Sequence, residues 1–142
     1  MICGLADYFF AMIMKKDIGS REDITTFMER FYGKALTDNV IGFFFTEVVK
    51  LNMQTHLPVI VDFWETVLFG VAKYKGNAMQ VHQHIHQLSA FTEEHFERWL
   101  ALFTQTVDEL FEGDRAELAK QRAVSIATMM KLKTIYKGKQ IN

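Results

Sequence analysis

The sequence contains little that breaks helices or cross-links a chain, with one proline and one cysteine among 142 residues. Because the single thiol of Cys3 cannot form an internal disulfide, we expect the chain to work in a reducing compartment such as the cytoplasm. The formal net charge is −1, whereas proteins that grip nucleic-acid backbones are normally basic, so no nucleic-acid partner is expected. No run of about 18 apolar residues occurs, so no membrane span is expected.

Aromatic residues, by contrast, are abundant. The chain has 13 phenylalanines, and 49% of its residues are hydrophobic. A chain of this length forms one globular domain that buries roughly 70% of its unfolded surface, so it needs no metal or disulfide to hold a core. Many aromatics with almost no proline indicate long helices, which either build a dense core or surround a large, flat, apolar ligand.

The spacing of the apolar residues is helical throughout. They recur at steps of three and four and never alternate over a useful length, which predicts an all-α domain of about five or six helices. Ser20 is predicted to cap the first helix, and the pattern breaks over residues 37–45. A second helix is predicted to run to about Tyr74, with Gly76 and Asn77 as its C-terminal stop.

Three more helices are predicted in the second half of the chain. A short one covers 78–88, and Thr92 caps the next, which Gly113 ends. Asp114 and Glu117 form a box-like cap for the last helix. That helix has a face of smaller side chains suited to close helix packing: Ala119, Ala123, Ile126, Ala127 and Met130.

The ends of the chain are predicted to lie outside this domain. Residues 1–19 are interpreted as an N-terminal extension, residues 20–137 as the domain, and residues 138–142 as a C-terminal tail. The segment 1–14 is apolar but lacks the positive start of a signal peptide, and its lysines follow the apolar run. It is therefore interpreted as an N-terminal helix or a loose extension.

The five histidines are the residues most suited to chemistry. His82 and His86 share a helical face and could chelate zinc, but a structural zinc site needs further ligands, and no cysteine or carboxylate lies nearby. For His84 and His95 a solvated surface position is the simpler interpretation. His56 leads an apolar helical face, so it either reaches into a pocket or is a partly buried histidine. No phosphate-binding loop and no hydrolase or metalloprotease motif is present.

Several short segments, in order, resemble the group III truncated haemoglobins. They are His56-Leu-Pro-Val-Ile-Val-Asp-Phe63-Trp64, then Tyr74-Lys-Gly-Asn-Ala-Met-Gln-Val-His82, then His95-Phe-Glu-Arg-Trp99-Leu. The resemblance extends back through Phe31-Tyr32 and the 42–45 corner and covers roughly residues 20 to 136. It implies a globin-like fold, shortened to a two-on-two helical sandwich around haem b.

The resemblance also implies the site. The histidine that completes the Gly-Asn-x-Met-x-x-His segment, His82, would hold the haem iron, and His86 on the same face is the alternative. An imidazole that binds iron needs a free lone pair, and a carbonyl partner for its other N–H would fix the ring. On the opposite face the resemblance places Tyr32, His56 and Trp99, whose O–H and N–H groups can donate to bound dioxygen.

The remaining implied residues are apolar. Phe45 would wedge against the porphyrin at the corner, and the pocket would be lined by Phe31, Ile60, Phe63, Met79, Phe96 and Phe91. Arg98, Lys73 and Lys75 are candidate partners of the haem propionates, although a solvated surface charge is the simpler interpretation of each.

The implied function is the binding or transport of dioxygen, with CO and NO as further ligands, by a cytoplasmic monomer served by a reductase. A haem enzyme that reduces peroxide or detoxifies nitric oxide is the alternative, since the same donors could stabilise charge as an O–O bond breaks. A haem-free helical interaction module, with the phenylalanines as plain core, is a third hypothesis.

Overall fold

The structure, a computed structural model, describes residues 4–6 and 14–138. Within these ranges there are five longer α-helices: α1 Arg21–Ala35, α2 Met53–Phe69, α3 Ala78–Leu88, α4 Glu93–Leu110 and α5 Asp114–Lys133. A π-helical turn, Phe44–Val48, lies between α1 and α2. The predicted all-α class is confirmed, and α3 has the bounds that the sequence predicted. Most of the predicted helix or loose extension over 1–14, the thiol of Cys3 and most of the predicted tail lie outside the described residues.

Two pairs of helices face each other around a core of aromatic side chains. α1 packs against α2, α4 packs against α5, and the pairs meet because α1 contacts α4 and α2 contacts α5. The fully buried rings of Phe27 and Phe103 meet edge to face at 4.9 Å, and Trp64 from α2 packs on Phe103 at the same centroid distance. This is the predicted two-on-two arrangement.

Local signals account for several helix starts. The hydroxyl of Ser20 accepts a hydrogen bond from the Asp23 amide, which confirms the predicted cap of α1. Thr92 is the cap residue of α4, as predicted. The small residues Ala119, Ala123 and Ala127 of α5 are buried, and this confirms the small-sided face as a helix-packing surface.

The segment between α2 and α3 departs from the prediction. α2 ends at Phe69 rather than near Tyr74, because Gly70 takes a left-handed conformation (φ 70°) that stops the helix. The hydroxyl of Thr66 then accepts hydrogen bonds from the amides of Lys73 and Tyr74, which folds the chain back along α2. Asn77 does not stop a helix but begins α3, since its side chain accepts from the Gln80 amide.

The cap of α5 also differs from the prediction. Gly113, predicted to end α4, is instead the cap position of α5, and the Asp114 side chain makes no capping bond. The carboxylate of Asp17 accepts from the amides of Arg115 and Ala116 at 2.9 Å each. Gly113 has φ 142°, and a Cβ there would lie 2.5 Å from the Asp17 carboxyl carbon, so only glycine fits beside this cap.

The segment just before α1 is therefore attached to the domain. Ile18 is fully buried in the core, and the Lys16 carbonyl accepts a hydrogen bond from the Glu112 amide at 3.0 Å. In the described ranges, each helix is too short or too polar to cross a lipid bilayer.

Candidate functional site

A cavity of about 360 Å³ lies between the helix pairs and α3. This volume is within the range of small-ligand and cofactor sites. Nearly all of its surface is apolar or aromatic. Its lining residues from α1, the corner and α2 are Tyr32, Ile41, Phe44, Phe45, Val49, Leu51, His56, Val59, Ile60, Phe63 and Trp64. Those from the rest of the chain are Tyr74, Ala78, Val81, His82, Ile85, Phe91, His95, Phe96, Trp99, Ile126, Ala127 and Met130.

His82, on α3, presents its ring to this cavity. Its Nδ1 lies 2.7 Å from the carbonyl oxygen of Ala78, one turn earlier, so Nδ1 carries the proton and donates it. Burial lowers the pKa of His82, although the hydrogen bond to Ala78 opposes this change. The imidazole is therefore neutral at pH 7, and Nε2 is the nitrogen left with a lone pair. The carbonyl partner expected from the sequence is thus Ala78.

The neighbouring histidines are placed differently. His84 is exposed on the opposite side of α3, as the simpler sequence interpretation has it. His86 does not line the cavity, and its Nδ1 accepts a hydrogen bond from the Phe91 amide at 2.9 Å. No cluster of three or more potential metal-ligating side chains is found in the described part of the chain. His82 and His86 therefore lack the further ligands that a zinc site needs.

Tyr32 and His56 also line the cavity and form its polar pair. The Tyr32 hydroxyl lies 3.2 Å from Nε2 of His56, and the two rings meet edge to face at 5.5 Å. Burial raises the pKa of Tyr32, which keeps the phenol protonated. Burial lowers the pKa of His56, and a positive charge on His82 would lower it further. The pair is therefore neutral, and of its two polar hydrogens one lies in the bond between the residues and the other is available to donate.

Trp99, from α4, brings an indole N–H to the cavity wall. Its indole stacks on Phe103 with ring centroids 5.1 Å apart and meets the edge of Phe31 at 6.0 Å. Tyr32 in turn packs edge to face against Phe31 at 5.2 Å. The structure therefore brings Tyr32, His56 and Trp99 into one cavity with His82, as the resemblance implies.

The predicted apolar lining is only partly found. Phe45, Ile60, Phe63, Phe96 and Phe91 line the cavity. Phe31 and Met79 are not among its lining residues, and their contact with haem stays a prediction. Phe31 is buried behind Tyr32 and Trp99, where it supports their rings. Met79 packs against a second apolar cluster, whose buried members are Phe96, Ala127 and Met130.

Sequence reasoning also missed part of the wall. Tyr74, in the loop before α3, lines the cavity. Its ring packs edge to face on Phe63, with centroids 5.2 Å apart. Met130, from α5, also lines the cavity. Its place on the small-sided face of α5 was the sequence signal that could have predicted this. His95 was interpreted as a surface residue. His95 in fact lines the cavity, and its ring packs on Phe44 with centroids 4.8 Å apart. Its position in the first turn of an amphipathic helix did not predict a place in the cavity wall.

The candidate propionate partners are on the surface. Arg98 is already paired, since its guanidinium lies 2.7 Å from an Asp38 carboxylate oxygen. That pair holds the pKa of Asp38 below its ordinary value. Lys73 and Lys75 flank Tyr74 and are exposed, so their charges lie on either side of a residue of the cavity wall.

These residues suit the haem that the resemblance implies. A neutral imidazole with one nitrogen held by a carbonyl is the form that a metal ligand takes. Aromatic and aliphatic walls suit a flat, apolar group. The donors Tyr32 and His56 come from α1 and α2, whereas His82 comes from α3, and all three line the same cavity.

The chain is similar to known proteins in sequence and in structure. No protein-family profile matches the chain. The group 3 truncated haemoglobin ctb of Campylobacter jejuni is 30% identical over 118 residues, which cover 81% of this chain and 91% of that protein. The crystal structure of a group III truncated haemoglobin from Campylobacter jejuni superposes with a TM-score of 0.74 at 29% identity, covering 88% of this chain and 99% of that one.

The family is therefore shown by sequence and by fold together. The similarity extends over most of both chains, and the all-helical two-on-two architecture is shared. The chain belongs to the group III truncated haemoglobins.

Proposed function

We propose that the chain holds haem b in the cavity through Nε2 of His82 and binds dioxygen and other diatomic gases, CO and NO. The observation that carries the proposal is the hydrogen bond from His82 Nδ1 to the Ala78 carbonyl, made by a neutral, cavity-lining imidazole. The iron of such a haem supplies an open coordination position for a gas ligand.

The other cavity residues have two roles, packing against the haem ring and donating hydrogen bonds to the gas ligand. Phe45, Phe63 and Phe96 line the apolar walls against which the flat ring packs. Trp99 and the member of the Tyr32–His56 pair whose hydrogen lies outside their mutual bond donate hydrogen bonds to a gas ligand that gains negative charge. Each such bond is worth about 0.5–1.5 kcal/mol, and more when it is charge-assisted. A pocket with several donors favours slow release over rapid exchange of oxygen.

The test is an absorption spectrum of the purified chain reconstituted with haem, taken in the ferric, ferrous and CO-bound forms. A Soret band of stoichiometric strength that moves on reduction and on CO addition supports the proposal. Absence of saturable haem binding contradicts it and favours the haem-free interaction module.

The Tyr32–His56 pair favours one second candidate, a haem enzyme for peroxide reduction or nitric oxide detoxification. A hydrogen-bonded phenol and imidazole in a buried cavity can stabilise charge and pass a proton as an O–O bond breaks. Steady-state peroxidase turnover well above that of free haem would favour this candidate. Turnover equal to free haem would favour a gas carrier or scavenger.

The proposal also covers the reductant, the cellular location and the oligomeric state. Gas binding of this kind requires ferrous iron, so we propose that a reductase serves the protein. One cysteine in the chain supports a reducing, cytoplasmic location. We further propose that the protein works as a monomer, which the elution volume of the haem-loaded chain on size exclusion tests.

A further inference from the structure

The connection between α3 and α4 is held by two histidines that the proposed function does not use. The Phe91 amide donates to Nδ1 of His86 at 2.9 Å, and the Thr92 amide donates to Nδ1 of His95 at 3.0 Å. Two consecutive backbone N–H groups therefore each donate a hydrogen bond to an imidazole nitrogen. Because a neutral imidazole accepts through one nitrogen and carries its proton on the other, both rings have their proton on Nε2.

The residue held in this way lies beside the proposed iron ligand. The Phe91 ring stacks on His86, with centroids 5.6 Å apart and planes 27° apart. It lies 6.4 Å from the His82 ring, and the two planes are 39° apart. On its other sides it contacts Phe44 at 5.0 Å and Phe96 at 5.4 Å. Phe91 thus forms the wall of the cavity next to His82.

This wall complements the hydrogen bond of His82. The bond to the Ala78 carbonyl fixes which ring nitrogen is protonated, but a single hydrogen bond leaves the ring plane free to tilt. The Phe91 ring, with its centroid 6.4 Å from that of His82, limits this tilt sterically. Since the Phe91 backbone is tied to His86, the position of the wall is set from α3 itself, one turn beyond the ligand.

We propose that His86 is a positioning residue that holds Phe91 against His82 and so fixes the orientation of the ligand imidazole. The inference rests on the proposed function, and it replaces the alternative in which His86 is itself the iron ligand. His95 supports the same connection from α4. It stands where a capping box normally has Glu or Gln, and it accepts from the cap amide as those side chains do.

The test compares His86→Leu, which removes the acceptor, with His86→Asn, which keeps an acceptor at the δ position. The first measurement is hydrogen exchange of the Phe91 amide in the full chain. The second is the iron–histidine stretching frequency of the haem-loaded ferrous protein, which reports the orientation of the ligand. We expect His86→Leu to speed exchange by about twofold to tenfold and to shift the frequency, and His86→Asn to restore the exchange rate.

A double variant separates positioning from general loosening. In a Phe91→Leu background, His86→Leu should produce no further frequency shift, because the residue through which it acts is gone. A full shift in that background would overturn the proposal, as would equal Phe91 exchange in the Leu variant and the parent. His84→Leu, on the exposed side of the same helix, is the matched control and should change neither measurement.

A second pair of variants tests the connection if His86→Leu does not fold. His95→Gln keeps an acceptor for the Thr92 amide, and His95→Leu removes it. Protection of the Thr92 amide should survive the first change and be lost in the second, and equal protection in both would overturn the role of His95. Failure of the proposed function is distinguishable, since the parent would then show no iron–histidine vibration. The Phe91 exchange rate of the haem-free chain would then decide alone whether His86 holds the connection.

Discussion

The hydroxyl of Tyr32 lies 3.2 Å from Nε2 of His56 and joins α1 to α2 across the cavity. Only one hydrogen can lie between these two atoms. If His56 carries it on Nε2 and donates to the phenol oxygen, the hydroxyl hydrogen of Tyr32 is free to point into the cavity. If Tyr32 donates to His56 instead, the cavity loses that donor. The tautomer of His56 therefore decides whether Tyr32 can bind a gas ligand.

Replacing Tyr32 by Phe should speed oxygen dissociation. The change removes the hydroxyl while keeping the ring that packs on Phe31 and Phe45. Loss of about 0.5–1.5 kcal/mol of hydrogen bonding corresponds to a rate increase of about twofold to tenfold. Stopped-flow displacement of dioxygen by CO measures the rate, and an unchanged rate would remove Tyr32 from the donors.

Trp99→Phe should also speed oxygen dissociation. The smaller ring retains the stacking on Phe103 but lacks the indole N–H. We expect oxygen dissociation to rise by about twofold to tenfold, while CO dissociation changes less because bound CO accepts hydrogen bonds weakly. Equal acceleration for both gases would indicate a change in cavity shape instead of the loss of a donor.

The two histidines of α3 that differ most in placement should differ most in effect. His82→Ala removes the cavity-lining imidazole and should abolish the five-coordinate ferrous haem spectrum. His84→Ala alters an exposed residue of the same helix and should leave the spectrum unchanged. The assignment of the ligand is wrong if the two variants behave the other way round.

Asp17→Ala should destabilise the fold through the start of α5. The change removes acceptors for the amides of Arg115, Ala116 and Ile18, so we expect a loss of about 2 kcal/mol in the free energy of unfolding. Asp114→Ala is the control, because this exposed side chain makes no capping bond, and it should cost about 0.5 kcal/mol. Urea unfolding measures both, and equal losses would contradict the capping role of Asp17.

The contribution of Asp17 should disappear in acid. Burial raises the pKa of Asp17, but the amides of Arg115, Ala116 and Ile18 and the charge of Arg115 outweigh it and hold the pKa below 3.8. A carboxyl with a lowered pKa in the folded state stabilises it above its ordinary pKa, and this stabilisation is lost as the pH falls through the folded value. The unfolding free energies of the parent and Asp17→Ala should therefore differ at pH 7 and converge below pH 3.8. A constant difference would contradict the charge-dependent cap.

The helices could be predicted well wherever their signals are local. The apolar period, the Ser20 cap and the bounds of α3 all depend on residues within a few positions of each other. The C-terminal end of α2 could not be predicted in this way. It depends on the left-handed conformation of Gly70 and on the hydrogen bonds from the Lys73 and Tyr74 amides to the Thr66 hydroxyl. The apolar pattern, by contrast, continued beyond Gly70.

The site was predictable in the residues that carry motifs. The resemblance pointed to His82, Tyr32, His56 and Trp99, and the structure gathers all four around one cavity. It did not separate a wall residue from the residue behind it. Phe31 and Phe45 are both aromatic and close in sequence, and only packing places one behind Tyr32 and the other on the wall.

By itself, the sequence determined the helical class and the number and order of most helices, which follow from side-chain chemistry and from spacing along one helix. Through the resemblance it also supplied the residues proposed to bind iron and to donate to a gas. The tertiary structure decided the partner of each of these groups: Ala78 for His82, His56 for Tyr32, and Asp17 for the start of α5. The last two join residues far apart in the chain, whereas the first lies within one turn of α3. The long-range pairings are set when helices pack and water is excluded, and no local pattern encodes them.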